Sequence, residues 1–306
     1  MKETRIYSLI GYASGISGRV PGANDAPDAL RNLGLISRLE AVGAEIRDLG
    51  NVSSVLSDDE RQAIERQASA EERAAKNFAD VFISCKRLYE KTSEALADET
   101  IPIILGGAHS CSIGSVSAVA DHYAARGESI GLVWVDTHAD LHTPQSSQSK
   151  NMHGMPISFL LGRVKGAMQQ LSQHFPVLRP EHIAYIGLRD VDAAERETLQ
   201  SLPIQAYTMK EIDRYGVARV IEEVVDRLAD DTQGCVVSFD LDVCDPTVAP
   251  GTGTPSRGGL TYREAHLVLE LLYEAGVMRS IELVELNPAL DPKQETAEVA
   301  IALLES

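Results

Sequence analysis

The stretch Ile130-Gly131-Leu132-Val133-Trp134-Val135-Asp136-Thr137-His138-Ala139-Asp140 decides how the rest of the chain is read. Its first six residues form an unbroken apolar run. Such a run, without polar alternation, is the pattern of a strand buried on both faces, and strands of that kind belong to parallel sheets covered by helices. The polar residues Asp136, His138 and Asp140 then fall at the strand's carboxyl end. If the chain stays extended, side chains two apart lie on one face at about 7 Å spacing, so these three converge on one small volume. The cluster points to a cation site; the plain alternative is a strand end capped by solvated acids.

The same grammar recurs along the chain. Apolar strands are predicted at 5–12, 45–49, 101–105, 183–188, 205–208, 235–239 and 281–286, alternating with helical patterns. Asp25 reads as an N-cap with Pro27 just inside a helix, and Leu30, Leu33, Leu35, Ile36 and Leu39 follow at helical spacing. The charged, Ala-rich segment 57–98 predicts one or two long helices with a solvated face, and 210–228 predicts another helix. Polar loops fill 11–22, 141–154 and 245–259; loops of such length within an α/β chain carry function or are disordered. No repeat or linker divides the sequence. The expected architecture is therefore one three-layer α/β/α domain over 1–306, with a largely parallel sheet whose ligands bind beyond the strands' carboxyl ends. That edge collects His109, Asp136, His138, Asp140, Asp192, Asp240, Asp242 and Glu285.

Composition narrows the partners. A formal net charge of -17 opposes nucleic acid and anionic membrane, which need basic surface, and favours a cationic ligand. No apolar run approaches the ~20 residues of a membrane helix. Met1-Lys2-Glu3-Thr4-Arg5 leads into no cleavage site, so a cytoplasmic protein is expected. The four cysteines are scattered without a C-x-x-C pair, which predicts reduced thiols rather than a zinc knuckle or disulfides.

Asp240 and Asp242 repeat the spacing of the opening cluster. With His109 from a third strand end, the set holds four carboxylates and two imidazoles. Such a set suits two divalent ions bridged by carboxylates, with a hard ion such as manganese favoured over zinc, and nickel or cobalt as substitutes. Two ions roughly 3.5 to 4 Å apart can hold a water between them and lower its pKa, so the expected chemistry is metal-assisted hydrolysis. Bland readings stand beside this one. Any single histidine is more often structural, as read for His122, His174, His182 and His266, and Asp240 and Asp242 could cap the loop before Pro246. An acid in a buried strand, such as Glu282 or Glu285, needs a lysine, a metal or a cationic substrate as partner.

Taken together, Gly106-Gly107-Ala108-His109-Ser110, Asp136-Thr137-His138-Ala139-Asp140, Asn151-Met152-His153-Gly154, Ser238-Phe239-Asp240-Leu241-Asp242 and Gly253-Thr254-Pro255 resemble the arginase-type ureohydrolases. Gly258-Gly259-Leu260-Thr261-Tyr262-Arg263-Glu264, Ile186-Gly187-Leu188-Arg189-Asp190-Val191-Asp192 and Val284-Glu285-Leu286-Asn287-Pro288 extend the resemblance over nearly the whole length, in the family's order. It implies two manganese ions, one on His109, Asp136, Asp140 and Asp240 and the other on Asp136, His138, Asp240 and Asp242. It implies attack by an ion-activated water on a guanidinium carbon, giving urea and an amine. Catalytic roles fall to His153 as proton shuttle, to Glu285 as a bidentate partner of the guanidinium, and to Asp140. Thr254 falls beside the guanidinium.

The motif around residue 150 resembles the arginase branch rather than the agmatinase branch, which makes L-arginine the expected substrate. Asp192 and Glu195 then fall where arginases meet the α-amino group, Ser147 and Ser149 where they meet the α-carboxylate, with His142 and Asn151 in the same recognition loop. Three positions depart from the family: His142 stands where arginases usually carry Asn, Lys150 where they carry Gly, and Ala108 where they carry Asp. Lys150 either reaches a carboxylate or is a solvated loop residue. The alternatives are a hydrolase of another guanidino or formimino acid, and a catalytically silent, metal-binding family member. The resemblance also implies a homo-oligomer, a trimer or hexamer.

Overall fold

The computed structural model of the chain describes residues 5–306, and the absence of a leader read at Met1 to Thr4 lies outside the described residues. Its strands are β1 Ile6–Tyr12, β2 Glu45–Val52, β3 Ile101–Gly106, β4 Gly131–Val135, β5 Ile183–Leu188, β6 Gln205–Thr208, β7 Cys235–Asp240 and β8 Met278–Val284. They form one sheet in the order β2-β1-β3-β8-β7-β4-β5-β6, and every pairing is parallel. β4, β5 and β7 are buried at every residue, as their apolar runs require. β2 carries Glu45, Arg47 and Asp48 and forms an edge.

The order in space explains where the polar residues meet. The first three strands build one side of the sheet and β4 to β6 the other; β7 and β8 then fill the gap between β3 and β4. Register aligns the four central ends, with Val135 opposite Phe239, Asp240 opposite Val284 and Leu105 opposite Leu283. The segments after β3, β4, β7 and β8 therefore emerge level and side by side. This is the crevice that parallel sheets offer to ligands.

Alternation along the strands makes the layers. Val133, Val135, Ile103, Leu105, Val237 and Phe239 face one way and pack on the helices Ala26–Asn32, Leu35–Ala41, Val217–Asp231, Tyr262–Glu274 and Glu295–Glu305. Leu132, Trp134, Ile183, Tyr185 and Val236 face the other way, against Val116 and Val119 of helix Ser112–Ala124 and Ile157 and Leu160 of helix Pro156–Leu160. The three-layer α/β/α expectation is met.

Strand ends shift by a few residues, with β2 running on to Val52 and β8 starting at Met278, and three differences have a plain backbone cause. The helix expected after Asp25 breaks into Ala26–Asn32 and Leu35–Ala41, because Gly34 takes φ 85. The helix expected over 210–228 divides at Gly216, with φ 79, into Met209–Tyr215 and Val217–Asp231. Apolar spacing continues across both glycines, but a left-handed residue stops the hydrogen-bond ladder. The last strand ends at Val284, not beyond it, since Glu285 has φ 67. Segment 57–98 resolves into two helices, Asp58–Gln67 behind a Ser57–Glu60 capping box and Phe78–Ala97.

Among the described residues no helix is long and apolar enough to cross a membrane. All four cysteines are free and buried. Burial pushes the thiols of Cys85, Cys235 and Cys244 up to about 12, and that of Cys111 also rises. A thiolate is the reactive form, so a thiol reagent at neutral pH should leave the folded chain unlabelled over minutes and modify all four cysteines once it is unfolded. Rapid labelling of the native chain would contradict this packing.

Candidate metal centre

The segment after β4 does not continue as a strand. Asp136 turns the chain, its Oδ1 accepting the His138 backbone N–H at 2.7 Å, and Asp140 sits at φ 48. After β7, Asp240 Oδ1 accepts the Asp242 N–H at 2.8 Å and the short helix Leu241–Val243 follows. Convergence of these side chains thus comes from two tight turns, and not from the extended spacing on which the expectation rested. Five of the six expected ligands fall into two groups, and Asp140 lies beside them without joining either. His109, Asp136 and Asp240 form one group of close ligand atoms, and Asp136, His138 and Asp242 a second.

His109 Nδ1 lies 3.2 Å from Asp136 Oδ2, 3.4 Å from Asp140 Oδ2 and 3.1 Å from Asp240 Oδ2. His138 Nδ1 lies 3.5 Å from Asp136 Oδ1 and 3.2 Å from Asp242 Oδ2. Asp136 therefore turns one oxygen to each imidazole. Its geometry is that of a bridge.

Core aromatics hold these turns. Trp134 is fully buried and donates its indole N–H to Asp136 Oδ2 at 2.9 Å, while its ring stacks on His109 with centroids 3.9 Å apart. Tyr185 donates to the Ala139 carbonyl at 2.6 Å, and Tyr12 OH meets Ser110 Oγ at 3.3 Å. Each ring contributes core packing and uses its polar tip to pin a ligand-bearing loop. Gly107 is needed for the same reason, because a Cβ there would lie 2.3 Å from the Ser14 carbonyl oxygen.

Electrostatics at the centre are unbalanced. Two like unit charges about 4 Å apart repel by about 4 kcal/mol at an effective dielectric of about 20. Burial, then repulsion from neighbouring aspartates, raises the Asp240 carboxyl, and burial with Asp136 does the same for Asp140; burial also raises Asp242. Asp136 is lowered in spite of its burial, by His109 and His138. Burial works against the charged form of each imidazole, but the surrounding aspartates carry both His109 and His138 well above the ordinary value. Among the described residues no lysine or arginine pairs with these carboxylates, and Asp242 Oδ1 is a buried acceptor without a donor. A carboxylate and imidazole set with an orphaned oxygen fits divalent cations.

Glu285 lies beside the cluster, 4 % exposed, with Oε1 accepting the His109 N–H at 2.8 Å and 3.6 Å from His153 Nδ1. Burial alone would raise its carboxyl; the His153 and His109 contacts hold it below the ordinary value. Thr254 Oγ1 donates to Asp242 Oδ2 at 2.9 Å. Farther out, Asp192 caps helix Ala193–Ser201 in a capping box with Glu195, and His142 Nε2 sits 3.1 Å from Asp192 Oδ2 and 3.7 Å from Glu195 Oε2. Ser147 Oγ accepts the Lys150 N–H, Ser149 Oγ accepts the Asn151 N–H, and Lys150 Nζ donates to the Pro144 carbonyl. Lys150 is thus tied into its own loop.

Sequence reasoning missed the supports behind the ligands. Arg189 donates to the carbonyls of Gly187, Asp242, Val243, Cys244 and Ser256, fixing the turn after β7. Ser238 and Glu282 lie behind His109. Glu282 was visible as an acid in an apolar strand; Ser238 stood in a quoted motif but was given no role.

Comparison with known proteins agrees with this geometry. The Arginase family model matches residues 6–306. Arginase from Bacillus caldovelox is 39% identical over 98% of this chain and 96% of its own length, and arginase from Bacillus subtilis is 38% identical over 99% and 97%. The crystal structure of the Bacillus caldovelox arginase superposes with a TM-score of 0.90 at 38% identity, covering 99% of this chain and 98% of the other. Matched by the family model over residues 6–306 and by these arginases at 38% and 39% identity over nearly its whole length, the chain belongs to the arginase family.

Proposed function

We propose that the chain hydrolyses L-arginine to urea and L-ornithine, using two divalent ions, with manganese foremost and nickel or cobalt as substitutes. The observation that carries this reading is Asp136, shared between the His109 and His138 groups, with a buried acid, Glu285, directly beside them. His109, Asp136, Asp140 and Asp240 would hold one ion, and Asp136, His138, Asp240 and Asp242 the other. When bound, the ions supply Lewis acidity and lower the pKa of a water, so that a nucleophile exists at neutral pH.

The chain's own residues do the rest. Glu285, kept ionised by its neighbours, pairs with the guanidinium and presents its carbon to the centre. Asp140 orients the attacking water, and Thr254 borders the guanidinium while fixing Asp242. His153, with Nδ1 3.6 Å from the Glu285 carboxylate that holds the guanidinium, passes a proton to the departing amine. At the outer end, Asp192 and Glu195 read the α-amino group, and Ser147, Ser149, Asn151 and His142 line the approach of the α-carboxylate. The four buried thiols fit a reducing cytoplasm. The same reading takes 1–306 as one unit, assembled as a trimer or hexamer.

Urea assays with the manganese-loaded chain on a panel of guanidino acids test the reaction. Urea from L-arginine is expected, and urea only from other compounds would remove arginine as substrate. In the same assay His153→Ala should keep both ions yet lose about 10²- to 10⁴-fold in kcat, and unchanged turnover would take His153 out of the mechanism.

His142 offers a second test, because its Nε2 already engages Asp192, the acid assigned to the substrate's amino group. A pair whose acid is half exposed contributes up to about 1 kcal/mol. His142→Asn should therefore lower KM for L-arginine by roughly two- to five-fold with kcat little changed. An unchanged or higher KM would show that His142 does not compete with the substrate.

A further inference from the structure

The last strand carries an acid that the reaction above leaves unused. Glu282 lies in β8, 0 % exposed, and among the described residues no lysine or arginine pairs with it. Its carboxylate instead receives hydroxyl protons from Ser112, Ser115 and Ser238. Burying an acid opposite neutral donors costs free energy that an apolar side chain would not. The placement of the third serine gives that acid a use.

Ser238 Oγ stands 2.8 Å from Glu282 Oε2 and 2.8 Å from His109 Nε2. Three serine hydroxyls donate to this carboxyl, and the single hydroxyl proton of Ser238 is one of those it accepts. The Ser238 oxygen can then meet His109 only as an acceptor, which puts the imidazole proton on Nε2. Nδ1, on the side of Asp136, Asp140 and Asp240, is then the nitrogen that would offer its lone pair to an ion. The stack on Trp134, with ring planes 5° apart, fixes the orientation of the ring. His138 has no such backing: its Nε2 looks toward the exposed Asp190, 3.9 Å away.

We propose that Glu282 and Ser238 form a buried relay of positioning residues that sets the tautomer and aim of His109, and so governs the affinity of one of the two metal positions. The relay rests on the two-ion reading and adds to it a difference between the two ions. Partners behind a ligating histidine fix its tautomer and raise its basicity, and their loss typically weakens metal binding by ten- to a hundred-fold.

Calorimetric titration of the metal-free, full-length chain with manganese(II) tests it, on wild type, Glu282→Gln and Ser238→Ala. Wild type should bind two ions. Each variant should bind one ion at wild-type affinity and the other roughly ten- to a hundred-fold more weakly. At limiting manganese kcat should fall while KM for arginine stays unchanged, since neither residue touches substrate. With cobalt(II), the visible absorption of one ion should change and that of the other should not. Ser238→Ala removes a single oxygen and keeps the question answerable if Glu282→Gln folds poorly. Two ions at unchanged affinity in both variants, even with a lowered melting temperature of the metal-free protein, would overturn the relay alone and leave Glu282 as packing. Fewer than two ions in wild type would overturn the two-ion reading, and the relay with it.

Discussion

Crowding of negative charge at the sheet's carboxyl edge is the constraint on which the rest of this molecule turns. Asp136, Asp140, Asp240 and Asp242 are all buried, and among the described residues only His109 and His138 pair with them as potential cations. Burial and mutual repulsion push Asp140, Asp240 and Asp242 up, while the two imidazoles hold Asp136 down. Divalent cations relieve that repulsion directly. A net charge of -17 deepens the attraction for them and for a guanidinium ligand.

Holding such a cluster requires a stiff frame. The sheet order supplies it by threading β7 and β8 last, between β3 and β4, so that ligands from distant parts of the chain rise from adjacent strands. The tips of Trp134, Tyr185 and Tyr12 then tie core packing to the ligand turns, and Arg189 ties the turn after β7 to the loop at Ser256. Left-handed backbone at Asp140 adjoins the Ala139 carbonyl held by Tyr185, and that at Glu285 is held by its N–H on the Gly107 carbonyl and its carboxylate on the His109 N–H. Rigid elements, rather than long loops, thus fix the geometry on which catalysis of this kind depends.

Much of this was legible in the sequence because burial on both faces leaves an unmistakable apolar run. The run before Asp136 fixed β4, and with it the side of the sheet on which to look for ligands. Helix ends were less legible: the apolar period passes through Gly34 and Gly216 unbroken, and the break depends on a backbone angle that spacing does not encode. The turns after β4 and β7 were hidden for a related reason. Side chains at alternate positions converge either along an extended chain or around an Asx-type turn, and a two-residue spacing does not separate them. Glu282 announced only that it needed a partner. Which partner was a matter of tertiary placement, since Ser112, Ser115 and Ser238 come from two other elements.

The departures from the family pattern are absorbed locally, each in a different way. Lys150 has φ 62, the left-handed conformation that glycine adopts freely, and its ammonium closes the loop onto Pro144. The backbone geometry that glycine would permit is kept, at the expense of a lysine's freedom. At Ala108 no acid is needed to satisfy the turn, because its N–H goes to Ser14 and the next N–H to Glu285. His142 is the departure that is not neutral. Its imidazole joins Ser146 on one side to Asp192 on the other, so it both stiffens the recognition loop and occupies an acid that a substrate ammonium would use. Of the three positions, only this one touches an acid proposed to read the incoming amino acid.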